Sequence, residues 1–434
     1  MSMVHVERPL TTYTRTTQSK SELSPQPPSL IPHSTLYIPH LRSKTALIFC
    51  IAIALALGIF AGCSQPPDAL HQQDLPASLA QPHDAPLATP PATPHESPQA
   101  TAQGAWPAYR EITDMAGRTM TIPADISTVF SVNPISAIYL YTLVPDMLLG
   151  WNYDLNVIER SVILDQYHSL PNFGMGDAIN FEAVIAAFPS IALNVSAING
   201  GAIDQSDTMA ERIGVPVVMV SNLLEDTAEV YRFLGRLFGV EERAELLAQY
   251  VERTFGDIAG MGIPDADKVR VYFGNGEDSL ETAPAGSLHG QIIDMVNAVN
   301  VADLELGDGS RVRISAEQLL AWDPDVIIVN GEPRSDMSGS AAAERIMGNP
   351  IFATLAAVRD RAVFGIPNAP FSWVDRPLGP NRIVGMRWLS ITIYPDHFDY
   401  DANDEIREFF RLFYHLELTD GQLRAVLRGE VLSG

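Results

Sequence analysis

Eight side chains that lie just after apolar, strand-like runs have the types needed to hold a small molecule rich in anionic oxygens. Arginine binds carboxylate, catecholate or oxyanion oxygens through its forked guanidinium group, and aromatic side chains offer flat apolar walls to a chelate or a macrocycle. In parallel sheets, ligands bind outside the carboxyl ends of the strands, so residues at those ends are the candidates. The eight are Asn133, Trp151, Tyr153, Tyr272, Ser287, Arg313, Trp373 and Arg376.

Several of these residues also have a simpler structural role open to them. Tyrosine and tryptophan are highly buried on average, so Tyr272 and Trp373 could belong to the core. Arg376 follows Asp375 directly, and the two side chains could pair with each other. The sequence leaves both interpretations open.

The sequence gives little support for a metal site made only of protein side chains, or for a catalytic site. The histidines after residue 100 have no metal-ligand spacing, although His289 could supply a single ligand. They are His168, His289, His397 and His415. The patterns of a phosphate-binding loop, a zinc-protease helix and a nucleophile elbow do not occur. We therefore expect neither an enzyme nor a resident metal ion.

An internal repeat organises the elements that must position the candidate residues. Ile179–Leu193 aligns without gaps on Ile314–Ile328, and every matched pair of residues is 135 positions apart. Each copy has a helical pattern, a proline and then a continuous apolar run, as expected for an interior strand of a parallel sheet. Neighbouring apolar runs recur in the same order. The repeat therefore predicts two lobes of related topology.

A long helix is predicted between these lobes. Apolar residues recur at helical spacing through Glu241–Ala259. Before the first lobe's main strands, Glu111–Pro123 predicts a hairpin that turns at Gly117. From Asn381 onward the chain is expected to be helical, ending in the amphipathic segment Glu405–Tyr414. The predicted fold class is α/β, with two Rossmann-like lobes that have parallel sheets and are joined by a long α-helix.

Composition and charge narrow the possible partners. The 434 residues are 46% hydrophobic and 18% charged, which is typical of globular proteins. The formal net charge of −24 argues against nucleic acid as a partner, because phosphate backbones are bound by clustered Lys and Arg. We expect five segments: a tail with export signal in 1–63, a Pro-rich tether in 64–106, lobes in 107–235 and 266–434, and the connecting helix in 236–265.

The N-terminal segment predicts export and lipid attachment. Thr45–Gly62 is an uncharged, mainly apolar run that follows Arg42 and Lys44. Its end, Phe60 to Cys63, places small residues before a single cysteine and resembles the lipobox of bacterial lipoproteins. Cleavage before Cys63 would leave that residue for diacylation, and two acyl chains anchor a protein stably. An uncleaved membrane helix is the alternative, since about 18 apolar residues can just span a bilayer.

Four features together resemble the helical-backbone substrate-binding proteins of ABC importers over residues 107–420. They are Ile112–Thr119, the paired glutamate-containing helices of the repeat, Gly286–Gly290 and Pro370–Pro377. That family takes up iron–siderophore complexes, haem, cobalamin and, in some branches, oxyanions such as molybdate. The resemblance implies a monomeric receptor, lipid-anchored on the outer face of the cell membrane, that delivers its cargo to an ABC permease dimer and its ATPase.

The resemblance also implies a docking role for the repeated glutamates. Glu182 and Glu317 match the positions at which family members contact arginines of the permease. A simpler role is open to both, because Asn180 and Ser315 are natural N-cap residues and an acid in the first turn is stabilised by the helix dipole.

An iron(III)-siderophore-type chelate is the cargo that the resemblance favours. Molybdate or tungstate, and cobalamin or haem, remain alternatives within the family. A membrane-tethered surface enzyme is the alternative from another class.

Overall fold

The computed structural model describes residues 108–305, 309–331 and 337–433. The predicted export signal, the lipid-anchor residue Cys63 and the tether in 64–106 lie outside the described residues. No helix among the described residues is long and apolar enough to cross a membrane.

An antiparallel hairpin opens the described part of the chain. It consists of β1 (Tyr109–Thr113) and β2 (Thr119–Pro123), and its turn is at Gly117, as predicted. Gly117 has a φ of +77°, a conformation that glycine adopts at little cost. The buried Asp114 carboxylate accepts a hydrogen bond from the Met219 backbone NH at 3.0 Å, which fixes the hairpin to the first lobe.

The first lobe is a three-stranded parallel sheet covered by helices. Its elements are β3 (Val129–Ser131), α1 (Pro134–Leu143), α2 (Val157–Val162), α3 (Phe181–Ala186), β4 (Ile191–Ser196), α4 (Gly200–Ile213), β5 (Val217–Ser221) and α5 (Thr227–Phe238). The strand order is β3-β4-β5. The next element, α6 (Glu241–Gly260), is the predicted long helix.

The second lobe contains a four-stranded parallel sheet of order β8-β6-β10-β11. Its elements are β6 (Arg270–Gly274), β7 (Glu281–Thr282), α7 (Gln291–Met295), β8 (Val299–Asn300), β9 (Val312–Arg313), α8 (Ala316–Trp322), β10 (Val326–Val329), α9 (Gly339–Gly348), α10 (Ala356–Arg359) and β11 (Val363–Gly365). β7 and β9 form a separate antiparallel pair. The predicted fold of two parallel α/β lobes is confirmed.

The sequence repeat corresponds to one structural unit used twice. α3 leads into β4 and α8 leads into β10, and the starts of both elements keep the 135-residue offset. The predicted caps are present: the Asn180 side chain accepts a hydrogen bond from the Ala183 NH at 3.0 Å, and the Ser315 hydroxyl accepts one from the Gln318 NH at 3.2 Å. Both β4 and β10 are interior strands, which explains their uninterrupted apolar sequence.

Three helices close the chain, namely α11 (Asn381–Ile393), α12 (Ala402–Phe413) and α13 (Asp420–Arg428). The prediction that the helical region ends at Glu405–Tyr414 is therefore wrong, because α13 follows it. α13 begins with a capping box between Thr419 and Gln422 and buries Leu423 and Val426.

The C-terminal helices and α6 tie the two lobes together. Arg243 of α6 donates to the carbonyl oxygens of Thr142, Leu143 and Leu412, which belong to α1 and α12. Arg387 of α11, whose side chain is 1% exposed, pairs with Asp257 of α6 at 3.0 Å. One continuous hydrophobic core includes residues of both lobes and of α11 to α13. The two lobes are therefore connected by a layer of packed helices.

Candidate functional site

Three of the predicted aromatic ligand contacts are part of the protein interior. Tyr272 and Trp373 are completely buried, and Trp151 is 4% exposed. Their polar atoms are used internally: the Tyr272 hydroxyl donates to the Ser279 carbonyl, and the indole NH groups of Trp151 and Trp373 donate to backbone carbonyls. Packing and hydrogen bonding thus give the three rings the structural role that was the alternative for Tyr272 and Trp373, and leave almost none of their surface exposed.

Two further predicted residues, Asn133 and Tyr153, lie in the first lobe. The Asn133 side-chain oxygen, Oδ1, caps α1 by accepting from the Ser136 NH, and the side-chain Nδ2 donates to the Asn194 side chain at 2.9 Å. It lines a cavity of about 690 Å³ formed by first-lobe residues. The Tyr153 hydroxyl donates to the Glu159 carboxylate at 3.0 Å, and burial raises the pKa of Glu159. The hydrogen-bond partners described for both residues belong to the first lobe.

Arg313, a predicted second-lobe contact, lies at a separate cavity of about 400 Å³. Its exposed guanidinium pairs with Asp278, and this pairing raises the pKa of Arg313. Glu281 lies 3.9 Å from Arg313, so two carboxylates already surround this guanidinium.

Arg376 and the turn that carries Ser287 both adjoin a buried carboxylate. Asp375 is completely buried and lies 2.5 Å from the His289 Nδ1, 3.0 Å from the Arg311 guanidinium and 4.0 Å from the Arg376 Nε. Ser287 shapes the turn before His289, since its hydroxyl donates to the Pro284 carbonyl and accepts from the Gly290 NH. We call Asp375, His289, Arg311 and Arg376 the Asp375 cluster.

A chain of polar side chains at the carboxyl ends of three strands holds the loop that carries Asp375. Asn330 follows β10 and donates to the side chain of Asn275, which follows β6, at 3.0 Å. The Ser372 hydroxyl, after β11, donates to Asn330 and accepts from the Asp375 NH at 3.2 Å. All three side chains are buried. The cluster therefore has a rigid foundation at the edge of the sheet where α/β proteins bind ligands.

The electrostatics of the cluster keep Asp375 ionised. Burial by itself raises the pKa of this carboxyl, but the hydrogen bonds from His289 and Arg311 outweigh burial and hold its pKa below the ordinary value. Arg376 is engaged more loosely, because its side chain is 53% exposed and its close partner is the Ser310 hydroxyl. Its guanidinium can therefore donate hydrogen bonds to an anionic oxygen of a ligand from solution.

Sequence reasoning missed Arg311 as a member of the site. A signal was present, since Arg311 and Arg313 alternate around Val312 and residues two apart share one face of a strand. The sequence suggested His289 only as a possible single metal ligand, whereas in the structure its Nδ1 is hydrogen-bonded to Asp375. Within the described residues, no group of three or more His, Cys, Asp or Glu side chains is arranged to hold a metal ion.

Residues 155–370 match the sequence model described as "Periplasmic binding protein". An ABC transporter solute-binding protein from Sulfurospirillum deleyianum superposes with a TM-score of 0.66 at 25% identity, covering 73% of this chain and 98% of the other. The chain belongs to the periplasmic binding protein family. It is a solute-binding protein of the ABC-transporter type and not an enzyme.

Other solved periplasmic binding proteins share the fold. One from Veillonella parvula has a TM-score of 0.60 at 22% identity, covering 74% of this chain and 97% of its own. The molybdate-binding protein MolA from Haemophilus influenzae has a TM-score of 0.57 at 19% identity, covering 71% and 99%. No curated protein matches significantly. Members of this family act outside the cytoplasm and deliver ligands to an ABC permease and its ATPase.

Proposed function

We propose that this periplasmic binding protein captures an anionic iron(III) chelate of the siderophore type at the Asp375 cluster. The observation that carries the proposal is a half-exposed guanidinium, Arg376, beside a buried carboxylate that fixes His289 and Arg311. Carboxylate or catecholate oxygens of a chelate would bind to the Arg376 guanidinium, beside the partly exposed side chains of His289 and Arg311. The chelated iron is cargo and needs no protein ligand in this arrangement.

Apolar side chains near the cluster favour an organic cargo over a bare oxyanion. Leu288, next to His289, is 44% exposed, and Leu223, two residues after β5 of the first lobe, is 45% exposed. Both segments approach the N-terminal end of α11. Its residue Arg382 donates to the Leu288 carbonyl, and Gly379, just before the helix, lies against Ile138 of α1. The neighbouring α1 residue, Tyr139, hydrogen-bonds to Thr227, four residues after Leu223. Exposed apolar side chains in the region of a cationic group suit an anion with an apolar body.

The cargo can be tested by titrating the full-length protein and following intrinsic tryptophan fluorescence. The probes are a ferric tricatecholate, ferric citrate, haem, cobalamin and molybdate. We expect a ferric chelate to bind, and Arg376→Gln to weaken it by about tenfold or more, since a charged hydrogen bond contributes about 1.5–3 kcal/mol. Arg313→Gln, a matched loss of an exposed arginine outside the cluster, should bind normally.

Two results would contradict this proposal. Binding of molybdate alone would identify an oxyanion receptor, which the Arg376 guanidinium could also serve. Equal affinities of the wild-type protein and Arg376→Gln for every ligand that binds would place the site elsewhere.

We further propose that Glu182 and Glu317 form two docking points for an ABC permease dimer. Both side chains are exposed, and both lie in the first turn of the repeated helices α3 and α8. Each helix precedes an interior strand, so its N-terminus lies toward the carboxyl end of that strand, the ligand side of the lobe. Two carboxylates at equivalent places suit a monomeric receptor that docks on a two-fold symmetric partner.

Lipid attachment at Cys63 remains a proposal from the sequence. We infer that cleavage before Cys63 anchors the protein on the outer face of the cell membrane. In cells given a radioactive fatty acid, Cys63→Ser should lose the label and leave the membrane fraction, whereas Cys50→Ser should behave like the wild-type protein. Label retained by Cys63→Ser would contradict lipidation.

A further inference from the structure

Arg382 is a buried arginine that no carboxylate neutralises by direct contact within the described residues. It is the second residue of α11 and is 1% exposed. Its Nε donates to the Val374 carbonyl at 3.1 Å, and its Nη2 donates to the Leu288 carbonyl at 3.1 Å. Burying a guanidinium without an ion pair is unfavourable, and these two hydrogen bonds replace part of the hydration that it loses.

The two carbonyl groups belong to the residues directly before the paired members of the cluster. Val374 precedes Asp375, and Leu288 precedes His289. The loops that carry them are 86 residues apart in sequence and meet at the 2.5 Å contact between His289 and Asp375. A single rigid guanidinium fork therefore spans both loops from beneath.

The surroundings of Arg382 fit this role. Burial lowers its pKa to about 10, and the nearby carboxylates of Asp375 and Glu225 partly offset that effect. The guanidinium thus stays charged at neutral pH and adds positive potential beneath the cluster. Gly379, three residues before Arg382, lies against Ile138 of α1, so Arg382 lies where the two lobes approach each other. Glu225 and Tyr139 of the first lobe also act on its pKa.

We propose that Arg382 is a positioning residue that holds the His289 and Asp375 loops in register for anion capture. The ligand aspect of this role rests on the proposed function, but the register of the two loops can be measured without any ligand. Arg387 supplies a matched control on the same helix. It is equally buried, but it pairs with Asp257 and Glu405 and contacts no member of the cluster.

The test is NMR spectroscopy of full-length protein labelled with nitrogen-15 at histidine. Hydrogen bonding to Asp375 should give His289 a low-field, exchange-protected Nδ1 proton, assigned by its loss in His289→Asn. We expect Arg382→Gln to lose this signal and Arg387→Gln to keep it, even though both variants lower the melting temperature. A signal that survives in Arg382→Gln, or disappears equally in Arg387→Gln, would overturn the positioning role.

A conservative pair covers the case in which the glutamine variants do not fold. Arg382→Lys keeps the charge but loses the fork, so it should shift or weaken the His289 signal, whereas Arg387→Lys should leave it unchanged. Equal spectra for the two lysine variants would overturn the proposal. If Arg382→Gln loses the signal while the wild-type protein binds none of the probe ligands, the cargo assignment fails and the positioning role stands.

Discussion

Asp375 shows how one buried charge can organise several partners. A carboxylate without exposure to water is tolerated only when hydrogen bonds replace its hydration, and His289 and Arg311 supply them. The same carboxylate aligns cationic side chains that would otherwise repel one another. Because Asp375 directly precedes Arg376, the sequence allowed a pairing between these two side chains to be considered. The alternation of Arg311 with Arg313 marks Arg311 as a candidate, but its pairing with Asp375 could not be predicted, because residues 64 positions apart meet only through the topology of the lobe.

Replacing Asp375 by Asn should destabilise the protein in a pH-dependent way. The folded-state pKa of Asp375 is lowered, so its contribution is complete above the unfolded-state value of about 3.9 and is lost as the pH falls through the lower folded-state value. At pH 7 we expect a loss of about 3 kcal/mol in the free energy of unfolding, as for a broken buried ion pair.

Urea unfolding of the wild-type protein and Asp375→Asn at pH 7 and in acid measures this effect. The difference between the two proteins should shrink as the pH falls below about 4. A difference that stays constant from pH 7 into acid would show that the ionised carboxylate is not the stabilising form.

The helix–strand units of the repeat could be predicted from the sequence, because the helix caps and the apolar pattern of the strands indicate the same boundaries. Asn180 and Ser315 cap their helices, and each copy then continues into an apolar interior strand. The aromatic contacts were not predictable in the same way, since a tryptophan after a strand can face a cleft or the core. α13 was missed although Thr419 and Gln422 form a capping-box pattern, because the helix is short.

Close packing of α11 against the loop before the cluster gives a prediction for Gly385. A Cβ at this position would lie 1.7 Å from the Trp373 carbonyl oxygen, so the helix or the loop would have to shift. We expect Gly385→Ala to destabilise the protein by about 1–3 kcal/mol, as other overpacked sites do. Thermal unfolding monitored by circular dichroism measures the change.

Gly256 is the matched control for this substitution. It lies within α6 and is exposed, and a Cβ added to it would meet no other atom within 4 Å. Gly256→Ala should stabilise the protein by up to about 1 kcal/mol through helix propensity. A Gly385→Ala variant as stable as Gly256→Ala would contradict the tight helix–loop contact.

The molecule as a whole resists large bending between its lobes. α6 alone would restrain a hinge, because bending it would break its own hydrogen bonds, and Arg243 and Arg387 add contacts to α1, α11 and α12. The two-lobed plan was predictable from the repeat and the amphipathic spacing of α6. The packed C-terminal layer was not, because contacts between distant helices leave no local pattern in a sequence.

A restrained receptor would present Glu182 and Glu317 at a nearly fixed separation, which suits a symmetric partner. We expect the double variant Glu182→Gln with Glu317→Gln to reduce uptake of a radioactive ferric chelate by native cells by roughly tenfold or more. Loss of a hydrogen-bonded charge pair at an interface costs about 2 kcal/mol or more. Ligand affinity of the purified variant should be unchanged.

The control for the docking test also removes two negative charges from the first turn of a helix. Glu241 and Glu242 are exposed and lie in the first turn of α6. Their double glutamine variant should transport normally. Normal uptake by the Glu182 and Glu317 variant, or an equal loss in the control, would remove the docking proposal.

Hydrogen–deuterium exchange of the full-length protein, with and without the ferric chelate that binds, tests the central claim most directly. Capture between the lobes predicts slower exchange in three segments at once, those containing Leu223, Leu288 and Asp375. Protection restricted to a single lobe, or found at the cavity beside Asn133 and not around Asp375, would contradict it.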